Sequence, residues 1–373
     1  MSAAMVAGSA AENVAMTQSI AKKILRWYER HQRDLPWRRT GDPYAVWVSE
    51  IMLQQTQVQT VLPFYRRFLA QFPTVQSLAA ASMDEVLKAW ENLGYYSRAR
   101  HLHAAANEIV KHGKGLLPST EEELRLLPGI GSYTAAAIAS IAYGRKVPAL
   151  DGNVRRVLCR LFAVQEPLDR HRTQGRLRRL AEELVPARDP GRFNQALMDL
   201  GATVCTPRKP ACATCPLRNL CLAAIKGMVE RLPAKNKPRS LPHKELTAAI
   251  LLDRRGRVLV VQRPASGLLG GLWKFPGGTR NGTESLQECL KRAVREELGV
   301  AVRCGKELAV VHHGYTHFTM TLRAYRCSPR NGTPRTLKCR SLRWVMPEEL
   351  HRFAFSRAER KVMEALSFTT DRT

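Results

Sequence analysis

Four cysteines lie close together in the stretch CTPRKPACATCPLRNLC. Cys205, Cys212, Cys215 and Cys221 are separated by six, two and five residues. Such spacing favours metal binding over disulfides, because four thiolates can close around one centre in a reducing compartment. The donor chemistry allows tetrahedral zinc or an iron–sulfur cluster. Five further cysteines have no ligand spacing and are expected to be ordinary thiols: Cys159, Cys289, Cys304, Cys327 and Cys339.

Two acidic residues stand where the surrounding sequence would tune their protonation. Glu50 falls in a predicted helix beside Trp47 and Ile51, where burial would raise its pKa and keep it an acid. Asp151 follows an apolar run in VPALDGNVRRV and precedes a basic helix. That position is typical of a helix N-cap, whose N–H groups would keep the carboxylate ionised.

A break in the helical pattern lies between these two acids, in LRLLPGIGSYTAAAIASIAYG. One helix is expected to end at Leu127 and another to begin near Ser132, with Gly129 and Gly131 turning the chain between them. The N–H groups at the start of the second helix would form an anion site. A helix–hairpin–helix that holds a DNA phosphate is favoured over an ordinary helix–helix turn. Tyr133 is the second residue after the last glycine.

The charge balance indicates a polyanionic partner. Lys and Arg number 59 and Asp and Glu 32, which gives a net charge of +27, so nucleic acid is the expected ligand. No run of 18 apolar residues that could span a membrane occurs in the sequence. The first 16 residues lack the basic and apolar segments of a secretory signal. An intracellular protein is therefore expected, cytoplasmic and associated with the nucleoid if the source is bacterial.

The pattern of apolar residues divides the chain into segments. A disordered start over 1–16 precedes an all-α module over 17–228, which contains the hairpin (124–144) and the cysteine loop (205–221). A basic, proline-rich linker over 229–245 leads to an α+β domain over 246–366 and a tail over 367–373. Arg255-Gly256 is expected to join two strands as a hairpin.

The hairpin followed by LDGNV resembles the base-excision DNA glycosylase superfamily, and WVSEIMLQQTQVQTV resembles the MutY-type adenine DNA glycosylases. These enzymes remove adenine mispaired with 8-oxoguanine. The resemblance implies that Glu50 protonates the leaving base and that Asp151 stabilises the sugar cation. It also implies that Tyr133 and Asn153 lie beside the reacting sugar.

The same resemblance implies the contacts with DNA and the cofactor. Trp37 matches a residue of the adenine pocket, and Gln55, Thr56, Leu93 and Tyr95 match residues that enter the base stack beside the lesion. Core packing is the alternative for Leu93. The cysteine spacing matches the loop that holds one [4Fe–4S] cluster in this family and in endonuclease III relatives. Double-stranded DNA containing adenine opposite 8-oxoguanine or guanine is the implied partner, and a monomer is expected.

The segment GGTRNGTESLQECLKRAVREELGV resembles a Nudix box. Six positions fit it: Gly278, Glu284, Arg292, Glu296, Glu297 and Gly299. Ala293 stands where the box has a carboxylate that helps to hold Mg²⁺, which weakens a hard-cation site. The departure favours a lesion-recognition domain over a hydrolase. The resemblance places the reading of 8-oxoguanine on a β-hairpin, here Tyr315, Thr316 and His317; an ordinary strand is the alternative.

Three other functions remain open at this point. An endonuclease III-type glycosylase with lyase activity is disfavoured by LDGNV and by the Nudix-like segment. A Nudix nucleotide pyrophosphohydrolase is disfavoured by Ala293. A non-catalytic binder of damaged DNA would lack Glu50 or Asp151, and both are present.

Overall fold

The computed structural model describes residues 10–234 and 240–367. Contacts between residues divide the chain into two compact units. The first unit comprises Met1–Ala79 and Ala104–Pro238, and the second comprises Ala80–His103 and Arg239–Thr373. None of the described helices is both long enough and apolar enough to cross a membrane.

The first unit is helical, as the apolar periodicity predicts. Its α-helices are α1 (Ala10–His31), α2 (Pro43–Leu53), α3 (Val58–Gln71), α4 (Val75–Ala80), α7 (Glu121–Leu124), α8 (Ser132–Ile141), α9 (Gly152–Leu161), α10 (His171–Leu184), α11 (Pro190–Thr203) and α12 (Leu222–Ile225). Helices α5 (Met83–Ala89) and α6 (Ser97–His112) lie between α4 and α7 in the chain. Short 3₁₀ helices cover Pro36–Arg38, Cys212–Thr214, Arg218–Leu220 and Val229–Arg231.

Helix α11 is central in the first unit, where it packs against α1, α8 and α9. Its inner face contributes Phe193, Leu197 and Leu200 to one large buried cluster. The same cluster takes Ile20 and Ile24 from α1. Burial of an apolar face in this way stabilises a helix far more than intrinsic propensity does. The packing holds the first residues of α8 and α9 beside α11.

The start of the chain differs from the prediction of a disordered segment over 1–16. Helix α1 begins at Ala10, so the prediction is wrong for residues 10–16. Alanine-rich sequence has high helix propensity, and Met16 packs against the core cluster of the first unit. Residues 1–9 lie outside the described part of the chain.

Within its described residues, the second unit contains two three-stranded sheets. Its elements are β1 (His243–Leu251), β2 (Val258–Gln262), β3 (Trp273–Lys274), α13 (Leu286–Leu298), β4 (Ala301–Gly314), β5 (Thr319–Asn331), β6 (Ser341–Val345), a 3₁₀ helix over Pro347–Arg352 and α14 (Arg357–Ser367). One sheet has the order β1-β5-β4, with β1 parallel to β5 and β5 antiparallel to β4. The other has the antiparallel order β3-β2-β6.

The predicted chain reversal at Arg255-Gly256 is present, because the Asp253 N–H donates to the Arg257 main-chain oxygen and the Gly256 N–H donates to the Asp253 main-chain oxygen. Leu252 and Val258 form an antiparallel bridge beside this turn, and beyond it β1 and β2 belong to different sheets. Residues 247–251 of β1 are buried on both faces. Ala248 and Ile250 enter one core cluster, and Ala249 and Leu251 enter a second. A strand that is covered on both faces has a continuous apolar sequence. Such a sequence does not indicate which strand it pairs with.

Helix α13 carries the Nudix-like segment and has well-defined ends. Ser285 and Glu288 form a reciprocal capping box at its start. Gly299 closes the helix with a left-handed conformation (φ 73°), which glycine adopts without a steric penalty. The helix packs against β1 and β4.

Residues 80–103 group with the second unit, whereas the sequence pattern places them in the helical module. Several side chains of this segment bond residues far along the chain. Asp84 accepts a hydrogen bond of 2.7 Å from Gln262 Nε2. Glu91 accepts bonds of 2.6 and 2.8 Å from Arg360. These long-range contacts carry no local sequence signal.

The other predicted boundaries are only partly covered by the described residues. Strand β1 already begins at His243, inside the predicted linker over 229–245. Residues 235–239 of that linker and residues 368–373 of the predicted tail lie outside the described part of the chain. The domain boundaries therefore stay a prediction.

Candidate active site and cofactor loop

Glu50 lies in the last turn of α2 and is 4% exposed. The helix starts at a defined point, because the Asp42 side chain accepts hydrogen bonds from the N–H groups of Tyr44 and Ala45. The pKa of Glu50 is raised to about 7, chiefly by burial and also by the nearby Asp151 carboxylate, while a hydrogen bond from Tyr133 lowers it. Glu50 can therefore carry a proton near neutral pH, as the sequence predicts.

Tyr133 lies in the first turn of α8 and bonds directly to Glu50. Its phenolic hydroxyl donates a hydrogen bond of 2.6 Å to Glu50 Oε2. The same oxygen lies 3.9 Å from Met198 Sδ on α11. Burial, together with the negative charge of Glu50, raises the pKa of Tyr133 well above 10. The hydroxyl thus stays protonated and acts as a donor to the carboxylate.

Asp151 is the N-cap of α9, as the sequence predicts. Its Oδ1 accepts a bond of 2.6 Å from the Val154 N–H, and its Oδ2 accepts a bond of 3.0 Å from Asn153 Nδ2. These donors lower the pKa of Asp151, as expected for a cap, because they stabilise its ionised form. Burial has the larger effect and raises the pKa of Asp151, although the bonds from Val154 and Asn153 lower it.

Both polar atoms of the Asn153 side chain are hydrogen-bonded. While its Nδ2 bonds Asp151, its Oδ1 accepts a hydrogen bond of 2.8 Å from Arg156 Nη2. Arg156 also donates to the main-chain oxygens of Gly201 (2.7 Å) and Cys205 (2.8 Å). The chain of contacts therefore runs from the Asp151 carboxylate to the first cysteine of the loop. Arg156 was visible in the sequence only as part of a basic helix.

Trp37 is 6% exposed and contacts the ring of Tyr65 edge-on, with centroids 5.2 Å apart. The adjacent Arg38 forms two hydrogen bonds with the buried Asp199 of α11, of 2.6 and 2.7 Å. Arg38 also lowers the pKa of Glu50 through its charge. Sequence reasoning missed Arg38 and Asp199, because an ion pair between residues so far apart has no spacing signature.

The turn after α2 presents Gln55 to solvent. Gln55 has a left-handed backbone (φ 55°) and is exposed, whereas Thr56 is half-buried and its hydroxyl bonds the Gln54 main-chain oxygen at 3.3 Å. The side chain of Gln54 donates to Thr134 Oγ1 on α8 at 3.0 Å. The contact fixes this turn relative to the start of α8.

The hairpin before α8 has the predicted glycine turn. Helix α8 begins at Ser132 as predicted, whereas α7 ends at Leu124 rather than at Leu127. Gly129 has a left-handed backbone (φ 77°). Gly131 is the N-cap of α8 with φ −86°, and a Cβ placed there would meet no atom within 4 Å. The second glycine is thus not needed for backbone conformation, and it leaves open space in front of the helix N-terminus.

The four loop cysteines line one cavity. Cys205, Cys212, Cys215 and Cys221 share it with Arg160, Val204, Arg218, Ala224 and Val229. In the part of the chain that the structure describes, no group of three or more His, Cys, Asp or Glu side chains is arranged to hold a single metal ion. The convergence of four sulfur donors on one cavity fits a group that fills the space between them.

Arg160 supports this loop from inside the fold. Although it is 2% exposed, its guanidinium has several acceptors. It donates to the main-chain oxygens of Thr206 (2.7 Å) and Leu232 (2.9 Å), and it lies 3.3 Å from Cys205 Sγ. Burial raises the pKa of Cys215 to about 11, so its thiolate needs positive charge nearby. Metal centres supply such charge and deprotonate their thiol ligands.

The second unit holds the residues that the resemblance assigns to lesion reading. Tyr315 N–H donates to the Phe318 main-chain oxygen at 2.8 Å and closes the turn between β4 and β5. Its ring stacks on Phe318 at 4.8 Å and packs against a core cluster. Thr316 and His317 are exposed at the tip. Tyr315 therefore anchors the turn, and the other two residues face outward.

Leu93 and Tyr95 behave differently from each other. Leu93 is 5% exposed, which agrees with core packing as the alternative, whereas Tyr95 is 39% exposed. Left-handed backbones at Asn92, Gly94 and Tyr95 form the tight loop that turns Tyr95 outward. The Tyr95 hydroxyl lies 2.5 Å from Thr316 Oγ1. Two of the predicted DNA-binding residues, Tyr95 and Thr316, are therefore in contact within the second unit.

Three family models match the chain. A model described as an HhH-GPD superfamily base excision DNA repair protein matches residues 48–186. The iron–sulfur binding domain of endonuclease III matches residues 205–221, and a NUDIX domain matches residues 247–365. The fold class of a helical glycosylase module with a Nudix-like domain is confirmed, as is the prediction of a [4Fe–4S] cofactor rather than zinc.

Solved structures resemble the first unit. A thermostable thymine-DNA glycosylase is 30% identical, with a TM-score of 0.52 over 57% of this chain and 98% of that chain. A trapped endonuclease III–DNA covalent intermediate is 21% identical, with a TM-score of 0.50 over 58% of this chain and 98% of that chain. The second likeness is one of fold.

Relatives of known activity extend over both units. The human adenine DNA glycosylase is 38% identical over 94% of this chain and 74% of its own length. The rat adenine DNA glycosylase is 37% identical over 94% of this chain and 78% of its own length. The Arabidopsis thaliana adenine DNA glycosylase is 38% identical over 81% of this chain and 56% of its own length. The chain therefore belongs to the adenine DNA glycosylase family.

Proposed function

We propose that this enzyme acts as a monomer on double-stranded DNA and hydrolyses the N-glycosidic bond of adenine mispaired with 8-oxoguanine or guanine. The observation that carries the proposal is the contact of Glu50 and Tyr133, with the charge of Asp151 close enough to affect Glu50. A buried carboxyl with a pKa of about 7 is suited to protonate a base at neutral pH.

The reaction needs two carboxyl groups in different roles. Protonated Glu50 gives its proton to the adenine ring, so that the C–N bond breaks and adenine leaves with the bonding electron pair. The sugar is left as an oxocarbenium-like cation, which the Asp151 carboxylate stabilises. Water then adds to the anomeric carbon and loses a proton to Glu50, which restores the acid and leaves an abasic site.

Tyr133 and Asn153 position these two carboxyl groups. The Tyr133 hydroxyl orients Glu50 Oε2, and Asn153 Nδ2 orients Asp151 Oδ2. A phenol cannot form the imine through which a lysine amine would cleave the DNA strand. The proposed product is therefore an intact abasic site rather than a cut strand.

The remaining residues bind DNA. The open space in front of Gly131 suits one backbone phosphate, which the N–H groups at the start of α8 would hold. Trp37 borders the pocket for the flipped adenine, and Gln55, Thr56 and Tyr95 contact the bases around it. Leu93 would have to leave its buried position to enter the stack. Thr316 and His317 read 8-oxoguanine opposite the adenine.

The four loop cysteines would hold the [4Fe–4S] cluster, and binding it would fix the loop over 205–221 and thereby contribute to folding. Arg208, Lys209 and Arg218 are exposed on this loop and can contact DNA phosphates. No step of the base excision passes through the loop. Arg156 connects it to the Asn153 side chain.

A panel of duplexes tests the proposal. The full chain is incubated with duplexes that carry adenine opposite 8-oxoguanine, adenine opposite guanine, or thymine glycol opposite adenine, and abasic sites are scored after alkali treatment. We expect excision of adenine from the first two, fastest opposite 8-oxoguanine, and no strand cleavage without alkali. Preferential action on thymine glycol would favour an endonuclease III-type enzyme instead.

A further inference from the structure

The Nudix-like segment of the second unit keeps three carboxylates of its motif: Glu284, Glu296 and Glu297. In a metal-dependent site such carboxylates would face a divalent cation, which binds through oxygen ligands. Here each carboxylate instead faces a cationic side chain of the protein. The cations are Arg292, Lys338 and Lys274.

Lys274 is the most informative of these cations, because it is buried. It is 8% exposed, and so is its partner Glu297. Lys274 Nζ donates to Glu297 Oε2 at 2.8 Å and to the Gly277 main-chain oxygen at 2.6 Å. The Gly277 N–H donates to the same Glu297 oxygen at 3.2 Å. One carboxylate oxygen and one carbonyl oxygen therefore converge on the ammonium, as hard oxygen ligands converge on a magnesium ion.

The outer carboxylates are also neutralised. Arg292 donates two bonds to Glu284, of 2.7 and 3.0 Å, and lies 3.4 Å from Glu296. Lys338 Nζ lies 3.1 Å from Glu296. At the fourth motif position Ala293 packs closely beside Gly278, where a built Cβ would lie 2.9 Å from the Ala293 Cβ. Ala293 therefore supplies no carboxylate at this position and lies directly against the Gly278 backbone.

The buried charges around Lys274 already balance. Arg263 Nη2 lies 3.7 Å from Glu359 Oε1, and Glu359 is 5% exposed. Lys274 interacts electrostatically with Glu297 and Glu359 and is repelled by Arg263. Two cations thus face two carboxylates in this interior. A divalent ion placed among them would add two uncompensated charges, which a low-dielectric interior strongly disfavours.

We propose that the Lys274 ammonium occupies the cation position of the Nudix-like motif, so that the second unit is closed by an internal cation and does not bind Mg²⁺ there. The Nudix-like motif then holds α13 against the turn at Gly277, and the second unit does not hydrolyse pyrophosphates. The proposal concerns the second unit and does not depend on the proposed adenine excision.

The test removes the internal cation and offers a metal ion in its place. Hydrogen exchange of α13 amides is measured in the full-length holoenzyme without Mg²⁺ and across a millimolar Mg²⁺ titration, since Mg²⁺ binds through oxygen ligands of the kind found here. In the wild type we expect protection to be independent of Mg²⁺. In Lys274→Met the buried Glu297 loses its partner, and protection should fall by about 100-fold or more. Mg²⁺ should restore part of that loss.

Two further variants keep the test decisive if Lys274→Met folds poorly. Lys274→Met combined with Glu297→Gln removes both charges, so it should fold and show no response to Mg²⁺. Lys338→Met removes an exposed cation of the same motif and serves as the matched control, with unchanged protection in both conditions. The proposal is overturned if Mg²⁺ raises the protection of the wild type and Glu297→Gln abolishes that rise. It also fails if Lys274→Met is indifferent to Mg²⁺.

Discussion

The Tyr133 hydroxyl donates a hydrogen bond of 2.6 Å to Glu50 Oε2, although the two residues are 83 positions apart in the sequence. The bond joins the first turn of α8 to the last turn of α2. It lowers the pKa of Glu50, whereas burial and Asp151 raise it, and the result is a pKa of about 7. The glycine turn before α8 thus sets the position of Tyr133, which tunes the pKa of the proposed catalytic acid.

Glu50→Gln should bind the mismatched duplex but lose excision. The amide keeps the shape of the side chain and can still accept the Tyr133 bond, but it cannot give up a proton to adenine. A lost general acid lowers the rate by about 10²- to 10⁴-fold. Single-turnover excision of adenine opposite guanine measures the loss, and filter binding measures the affinity. The control is Glu122→Gln on an exposed position of α7, and wild-type excision by Glu50→Gln would remove Glu50 from the mechanism.

The same substitution should make stability less sensitive to pH. The pKa of Glu50 is 4.5 in its ordinary state and about 7 in the fold, so the native state binds more protons and the wild type loses stability as pH rises through this range. The difference corresponds to about 3 kcal/mol at most. We therefore expect Glu50→Gln to be more stable than the wild type at pH 8 and similar at pH 4.5. The free energy of unfolding is measured with denaturant at both pH values. If Glu50→Gln and the wild type differ by the same amount at pH 4.5 and pH 8, the raised pKa of Glu50 is contradicted.

Gly201→Ala should disturb the proposed catalytic site by displacing Asn153. A Cβ at Gly201 would lie 2.7 Å from the Asn153 Cβ and 3.0 Å from its main-chain carbon and oxygen. Overpacking of this kind costs about 1–3 kcal/mol, and it would displace the Asn153 side chain that orients Asp151. We expect lower thermal stability together with slower excision.

The matched control for this prediction is Gly175→Ala on α10. There the nearest atom to a built Cβ is Arg179 Nη1, at 3.9 Å. Because alanine favours a helix over glycine by up to about 1 kcal/mol, this variant should be as stable as the wild type or more so. Equal excision rates in the two variants would show that excision does not depend on the present position of the Asn153 side chain.

The wild-type enzyme should form little or no covalent adduct with DNA under borohydride. Imine formation needs an amine, and Tyr133 offers a phenol whose proton is engaged with Glu50. Tyr133→Lys should increase trapping if the amine reaches the sugar, whereas Tyr133→Phe should not. Gel analysis of trapped complexes provides the measurement. Strong trapping by both the wild type and Tyr133→Phe would mean that a lysine elsewhere acts as nucleophile.

Thr316→Val should reduce the preference for 8-oxoguanine over guanine. The exposed hydroxyl at the β4–β5 tip lies 2.5 Å from the Tyr95 hydroxyl, so its loss removes a polar group from the proposed reading surface. One hydrogen bond is worth about 0.5–1.5 kcal/mol, which corresponds to a reduction of roughly 2- to 10-fold. The ratio of excision rates on the two mismatches is measured. Thr333→Val, at an exposed loop position, is the control, and an unchanged ratio in Thr316→Val would exclude this residue from reading.

The lesion-recognition segment illustrates the limit of sequence reasoning. The triplet at 315–317 was assigned as a unit, but Tyr315 turns inward and stacks on Phe318, while Thr316 and His317 face outward. A turn closed by the Tyr315 N–H decides which side chains face solvent. Leu93 and Tyr95 differ in the same way, since Leu93 is buried and Tyr95, which follows the left-handed Gly94, is exposed.

Features that depend on neighbouring residues were predictable without coordinates. The cysteine spacing, the start of α8 after Gly131, the N-cap at Asp151 and the apolar surroundings of Glu50 are all local, and local spacing is set by the geometry of the backbone. The contact of Tyr133 with Glu50 and the packing of residues 80–103 in the second unit arise only when the chain is folded. It also decided that Lys274 meets Glu297. These contacts join residues from distant parts of the chain, and side-chain packing and charge pairing select them without leaving a periodic signal in the sequence.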